Sequence, residues 1–138
     1  MRALTVRQPW AWAIADGHKP IENRVQRWSY RGPLAIHAGL STDPFGIRWM
    51  QANVPDLERP TLYDRGYVLA VVDLVGCHWS RPGCCDTVWA EQAPGIAHLE
   101  LERPRRLLYP IAAVGRLGPW PVSPALESLI VKQIGATA

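Results

Sequence analysis

Proline occupies 13 of the 138 positions and recurs from Pro9 to Pro124, so few windows allow a long uninterrupted helix. The pyrrolidine ring fixes φ and removes a backbone donor, which confines proline to first helical turns, loops and strand edges. A chain punctuated in this way builds short strands and short helices joined by structured loops, not a helical bundle. With 48% apolar and 20% charged residues it still carries enough hydrophobic side chain for a globular core. The length predicts one domain over residues 1–138. These values exclude a disordered tail, a collagen-like chain and a charged coiled coil. No apolar run approaches the ~18–20 residues of a membrane span, and the opening MRALTVRQPW lacks an apolar signal core. A cytoplasmic protein with no membrane partner is therefore expected.

Residues Ala3–Val6 read as a strand, and Pro9 opens a short helix to Asp16 that Gly17 ends. Ile21–Val25 reads as an extended piece carrying Glu22 and Arg24. A turn at 30–33 leads into a strand over Pro33–Ala38. Alternation places His37 there beside Ala35, among small residues where a cavity is expected. Asp43 or Thr42 caps a second helix, with Pro44 at its first position, running to about Asn53. The central strand is predicted at about 67–75, because Tyr67–Val72 is apolar on both faces. Asp73 interrupts it, and a carboxylate there needs a partner or an opening. Ala97–Glu102 alternates, with Ala97, Leu99 and Leu101 inward and His98, Glu100 and Glu102 outward. Arg103–Arg106 reads as a basic bend, followed by strand pieces within 107–117. Ser123 caps a last helix over 124–134, which Gly135 ends. The expected fold is α+β: a small, partly closed β-barrel with about three short helices.

Cys77, Cys84 and Cys85 are odd in number and close together, which excludes a secreted disulfide framework. With His78 they offer four potential ligands, but the spacing fits no common zinc pattern and adjacent cysteines rarely ligate one ion. A structural or incidental role is expected for them, with no metal and no cofactor. The net charge of +3 permits a nucleic-acid partner without requiring one. The first 32 residues hold six basic groups against two acids, and residues 103–116 hold four arginines and no acid. Together with Trp10, Trp12, Trp28 and Tyr30, this composition suits phosphate contact and base stacking, or equally a solvated charged face over a tryptophan core. The tightest constellation is Gly17–Arg24. In an extended segment Glu22 and Arg24 share a face, and Lys19 lies three residues before Glu22. Such a trio forms a self-neutralising network or leaves a cation facing a ligand, and local chemistry leaves both open.

Three stretches carry a resemblance: Leu4–Trp12 with Arg7-Gln8-Pro9-Trp10, then Gly17-His18-Lys19-Pro20-Ile21-Glu22-Asn23-Arg24, then Arg31-Gly32-Pro33-Leu34-Ala35-Ile36-His37-Ala38. Their order and spacing resemble the ASCH (activating signal cointegrator homology) domain, over nearly the whole chain. The resemblance implies a PUA-like pseudobarrel whose cleft binds RNA, a nucleotide or a modified nucleoside at the G-x-K-x-x-E-x-R stretch. It implies a ligand-binding set of Arg7, Gln8, Trp10, Lys19, Glu22, Arg24 and His37, with Arg31 beside them. Some members of that superfamily hydrolyse the amide of N4-acetylcytidine with a lysine, a threonine and a glutamate, and others cleave RNA. By position Lys19 matches the lysine, Glu22 stands in the threonine's place, and Asp73 matches the glutamate. Lys19, Glu22 and Asp73 are thus the catalytic set if the chain is an enzyme. Without the hydroxyl, water would have to be the attacking group.

Overall fold

The structure, a computed structural model, describes residues 1–135. Its elements are β1 (Arg2–Gln8), α1 (Trp10–Ala15), β2 (Ile21–Arg24), β3 (Gly32–Thr42), α2 (Pro44–Asn53), β4 (Tyr67–Trp79), β5 (Ala97–Ala112), β6 (Trp120–Pro121) and α3 (Pro124–Ile134). Both longer helices start as local chemistry dictates. The Asp43 carboxylate accepts from the Phe45 amide and the Ser123 hydroxyl from the Leu126 amide, each with proline at the next position. Among the described residues no helix is long and apolar enough to cross a membrane.

The strands form one mixed sheet in the order β2-β5-β4-β3-β1-β6. β1 runs parallel to β3, and the other neighbours are antiparallel. The sheet keeps two edges, β2 and β6, and does not close. It nevertheless wraps. The six-residue α1 packs against β1, β3, β4 and β5. A helix of that length spans about 9 Å, whereas four flat strands span about 14 Å, so the sheet must curve around it. This is the partly closed barrel that the strand pattern predicts.

The continuous apolar run of β4 reflects burial on both sides. Leu69, Ala70, Val72 and Leu74 join Leu4, Ile14, Leu34, Ile36 and Leu99 in the core under α1. Val68 and Val71 join Ala3, Ala35, Leu107, Trp120 and Ile130 in a second core covered by α3. α1 itself is buried nearly all round, because Trp12 and Ala13 pack away from the sheet against Met50 and Trp89.

Two sequence expectations are corrected here. The 103–106 segment is not a bend between strands. It is a bulge inside the continuous β5, with Arg103 at φ 49° and the register against β4 shifting between Val71 and Asp73. His98 is not outward-facing to solvent but fully buried. It pairs in register with His78 on β4, and the connection between β4 and β5 folds over it, so that its Nε2 donates to the Glu91 carbonyl at 2.7 Å.

Candidate ligand-binding cleft

α1 leaves the sheet at Gly17, and the chain returns along the edge strand β2. This brings Lys19 under Trp10 and sets Glu22 and Arg24 side by side on one face of β2. Lys19 is 3% exposed and Glu22 is 7% exposed. The Lys19 ammonium donates to the Ile21 carbonyl, lies 3.3 Å from Glu22 Oε1, and sits 5.5 Å from the centre of the Trp10 ring. The other oxygen of Glu22 receives Arg24 Nε and Nη2, each at 2.9 Å. Arg24 Nη2 also donates to the Thr5 carbonyl at 3.2 Å, tying β2 to β1. The result is a cation–anion–cation chain along the floor of the cleft. Burial pushes the Lys19 pKa below the usual lysine value, and the charge and hydrogen bond of Glu22 oppose that shift without cancelling it.

Three tryptophans form the wall. Trp10, Trp49 of α2 and Trp89 of the β4–β5 connection pack with ring centres 5.1–6.3 Å apart. Gly46 makes room for this, since a methyl group there would sit 2.8 Å from the Trp10 ring. Asp43 links the pieces: besides capping α2 it accepts from Trp10 Nε1 at 2.9 Å and pairs with Arg7 at 3.5 Å. Burial alone would raise the Asp43 carboxyl. The Trp10 indole, Arg7 and the amides of Gly46 and Phe45 outweigh it and hold it below the usual carboxylate range. Asn23 clamps the loop bearing Trp89, donating to its carbonyl at 2.9 Å and accepting from the Glu91 amide at 3.0 Å. The space enclosed is about 850 Å³, with Arg7, Val25, Phe45 and Val88 at an exposed rim.

Of the residues expected at this site, Arg7, Trp10, Lys19, Glu22 and Arg24 line the cleft. The other expected residues lie elsewhere. Gln8 is buried under α1, donating to the Asp64 carbonyl at 2.7 Å and accepting from the Trp12 amide at 2.8 Å. It borders a separate hollow of about 290 Å³ with Trp12 and Tyr63. The Arg31 guanidinium donates to the Trp28 and Tyr30 carbonyls, bracing the turn into β3. His37 faces the core under α3. Trp120 Nε1 donates to the Thr5 hydroxyl at 3.0 Å, that hydroxyl lies 3.2 Å from His37 Nδ1, and Nε2 bonds the Ala113 carbonyl at 2.7 Å. The small-residue face is real, but Gly115 and the His37 ring fill it against each other. Burial lowers the His37 pKa, partly offset by the Ala113 bond. Asp73 takes Arg103 at 2.9 Å and Arg105 at 2.6 Å, both aimed at it by the β5 bulge. Lys19, Glu22 and Asp73 therefore do not share the cleft.

Sequence reasoning missed Trp49, Trp89, Asp43, Asn23 and Glu91. The unusual count of seven tryptophans was the one signal for the aromatic wall. Behind the Trp89 loop, among the described residues, His78, Cys84, Cys85 and His98 form a group of potential metal ligands, whereas Cys77 is buried in the core.

Residues 4–105 match the sequence profile of the ASCH domain. Over 80 residues the chain is 35% identical to activating signal cointegrator 1 of Mus musculus and of Homo sapiens. That stretch is 54% of this chain and 14% of each relative, so the chain spans a small part of their length. The crystal structure of ASCH from Zymomonas mobilis superposes with a TM-score of 0.59 at 11% identity, covering 95% of this chain and 93% of that one. A point mutant of the same Zymomonas protein gives 0.60 at 13% identity, covering 95% and 96%. At such identity the likeness is one of fold.

Proposed function

The chain belongs to the ASCH domain family, and from that premise we propose that its cleft binds a single base of RNA, or a modified nucleoside. The observation that carries this reading is the Lys19–Glu22–Arg24 chain at the foot of a tryptophan wall. Aromatic faces stack on any base, and a paired carboxylate and ammonium offer an acceptor and a donor to a base edge. The cleft lining balances Arg7, Lys19 and Arg24 against Glu22, Asp43 and Glu91. Sites for polyphosphate carry a cationic surplus, so this balance favours a neutral heterocycle inside, with Arg7 at the rim to meet phosphate. The 850 Å³ volume suits a nucleoside-sized ligand, within the range of roughly 300–1,000 Å³ for small-molecule sites.

Binding is favoured over turnover because the expected catalytic groups are already engaged. Glu22 spends both oxygens on Lys19 and Arg24, and Asp73 is held by two arginines outside the cleft. The test is a titration of the chain with nucleosides, N4-acetylcytidine among them, and with short single-stranded RNA, read by tryptophan fluorescence. Quenching is expected, with RNA affinity falling between about 50 and 200 mM salt as counterions are released. Trp10→Ala should remove about 1–3 kcal/mol of stacking, and Arg7→Ala should flatten the salt dependence. No response to any nucleoside, or affinities unchanged in both variants, refutes the reading.

A further inference from the structure

Behind the cleft wall, four donor atoms converge from three parts of the chain. His78 comes from the end of β4, His98 from the start of β5, and Cys84 and Cys85 from the connection between them. The sulfurs of Cys84 and Cys85 are 3.6 Å apart. His98 Nδ1 is 3.5 Å from each sulfur and 3.2 Å from His78 Nε2, and His78 Nε2 is 3.3 Å from the Cys85 sulfur. A tetrahedral ion with Zn–S bonds of ~2.3 Å and Zn–N bonds of ~2.05 Å has edges of about 3.8 Å between sulfurs, 3.6 Å between sulfur and nitrogen and 3.3 Å between nitrogens. The five edges given follow that set, each shorter by up to about 0.3 Å, and the sixth, between Cys84 and His78, lies within 4.8 Å.

The imidazoles are oriented as metal ligands are. His78 Nδ1 lies 2.9 Å from a Glu100 carboxylate oxygen, and His98 Nε2 lies 2.7 Å from the Glu91 carbonyl. Both partners are acceptors, so each outer nitrogen carries the hydrogen. The inner nitrogens, His78 Nε2 and His98 Nδ1, then turn their lone pairs towards each other and towards the two sulfurs, the arrangement a shared cation would bridge and thiol hydrogens satisfy in its place. A carboxylate or carbonyl behind a ligating histidine is the usual arrangement that fixes its tautomer. Gly76 preserves it here: a Cβ at that position would lie 2.5 Å from the Glu100 oxygen.

We propose that His78, Cys84, Cys85 and His98 bind one Zn²⁺ in a closed, tetrahedral structural site that staples the β4–β5 connection to the sheet. Two sulfurs and two imidazoles select zinc among common divalent ions. Binding forms four metal–ligand bonds and releases the two thiol protons to solvent, leaving a centre with no net charge. With four protein ligands no coordination position remains for substrate, so the role is to hold structure. The local turn explains why neighbouring cysteines both reach the ion. The Cys84 amide bonds the Arg81 carbonyl at 3.1 Å, and Gly83 lies in the left-handed region at φ 74°. The same connection carries Trp89 and Glu91, and His98 holds the Glu91 carbonyl, so the metal would set one wall of the cleft. The site itself stands whether or not the cleft takes a base.

The test is metal analysis of the full chain, expressed with zinc and purified under reducing conditions without chelator. One equivalent of zinc is expected. Replacement by Co²⁺ should give the intense visible bands of tetrahedral cobalt with a sulfur-to-metal charge-transfer band. Cys85→Ser and His98→Ala should lose stoichiometric zinc and the cobalt spectrum, while Cys77→Ser keeps both. If the ligand variants fail to fold, chelation of the natural chain supplies the second measurement, with a reversible, zinc-restored change in tryptophan fluorescence expected. Folded, reduced protein with neither stoichiometric zinc nor a tetrahedral cobalt spectrum overturns the proposal. So does zinc retained in both Cys85→Ser and His98→Ala, or a Cys84–Cys85 disulfide whose reduction in the presence of Zn²⁺ leaves the chain metal-free.

Discussion

Glu22→Gln isolates the electrostatics of the cleft floor. The substitution keeps the shape and one acceptor oxygen but removes the charge between Lys19 and Arg24. The side chains of Lys19 and Glu22 are 2% and 9% exposed, so this pair is buried, whereas Arg24 at 29% can turn partly to solvent. Removing one partner of a buried ion pair costs about 3–5 kcal/mol, because the remaining charge is left desolvated. Release of Arg24 reduces this, so a loss near ~3 kcal/mol is expected at neutral pH, equivalent to roughly 10 °C in Tm for a chain of this size. The sign with pH follows from Lys19. Burial already holds its folded pKa below the value of the unfolded chain, so its penalty is full below the folded pKa and disappears as pH rises towards the unfolded value. Without Glu22 the folded pKa falls further, the penalty grows, and it is relieved over a wider alkaline window. The gap between the natural chain and the variant should therefore narrow as pH rises from about 7 to 10. Urea unfolding at several pH values measures it, and Lys19→Met in the Glu22→Gln background should recover part of the loss. A neutral-pH difference below about 1 kcal/mol, or one that widens with pH, would refute a buried, charge-coupled pair.

Asp73→Asn should cost roughly 1–2 kcal/mol at neutral pH, discounted because Arg103 is largely exposed. Burial raises the Asp73 carboxyl, but the hydrogen bonds and charges of Arg103 and Arg105 bring it below the usual value. Its contribution is present above the unfolded pKa of about 3.9 and is lost as pH falls through the lower folded value, so natural and variant stabilities should converge in acid unfolding titrations. His37→Ala should destabilise by about 2–4 kcal/mol through a cavity and the unpaired Thr5 and Ala113 groups, yet leave nucleoside affinity unchanged. A loss of affinity in folded His37→Ala protein would contradict its placement under α3. N4-acetylcytidine incubated with the natural chain should show no hydrolysis, or turnover far below that of hydroxyl-bearing relatives, by chromatography. Efficient turnover that Glu22→Ala abolishes would make Glu22 a working base and reverse the preference for binding.

Much of this protein is legible from local chemistry. The starts of α2 and α3 are written in Asp43-Pro44 and Ser123-Pro124, because caps and first-turn prolines act within four residues. β4 reads as a central strand because burial on both faces leaves no room for polar alternation. The Lys19–Glu22–Arg24 chain is visible because one helix exit and one short strand bring it together.

Sidedness is what the sequence alone could not determine. Period-2 alternation shows which residues share a face, but not which face meets the cleft, the second core or a loop. His37 turned out to lie under α3, and Asp73 to meet a bulge thirty residues away. His98 stands opposite Leu99 as its strand requires, yet that outer side is roofed by the β4–β5 connection. The same connection brings Trp89 to Trp49 and Cys84 and Cys85 to His78. Each of these meetings depends on where a proline-broken chain crosses back over the sheet. That path is set by packing the whole core at once, and no short window of sequence encodes it.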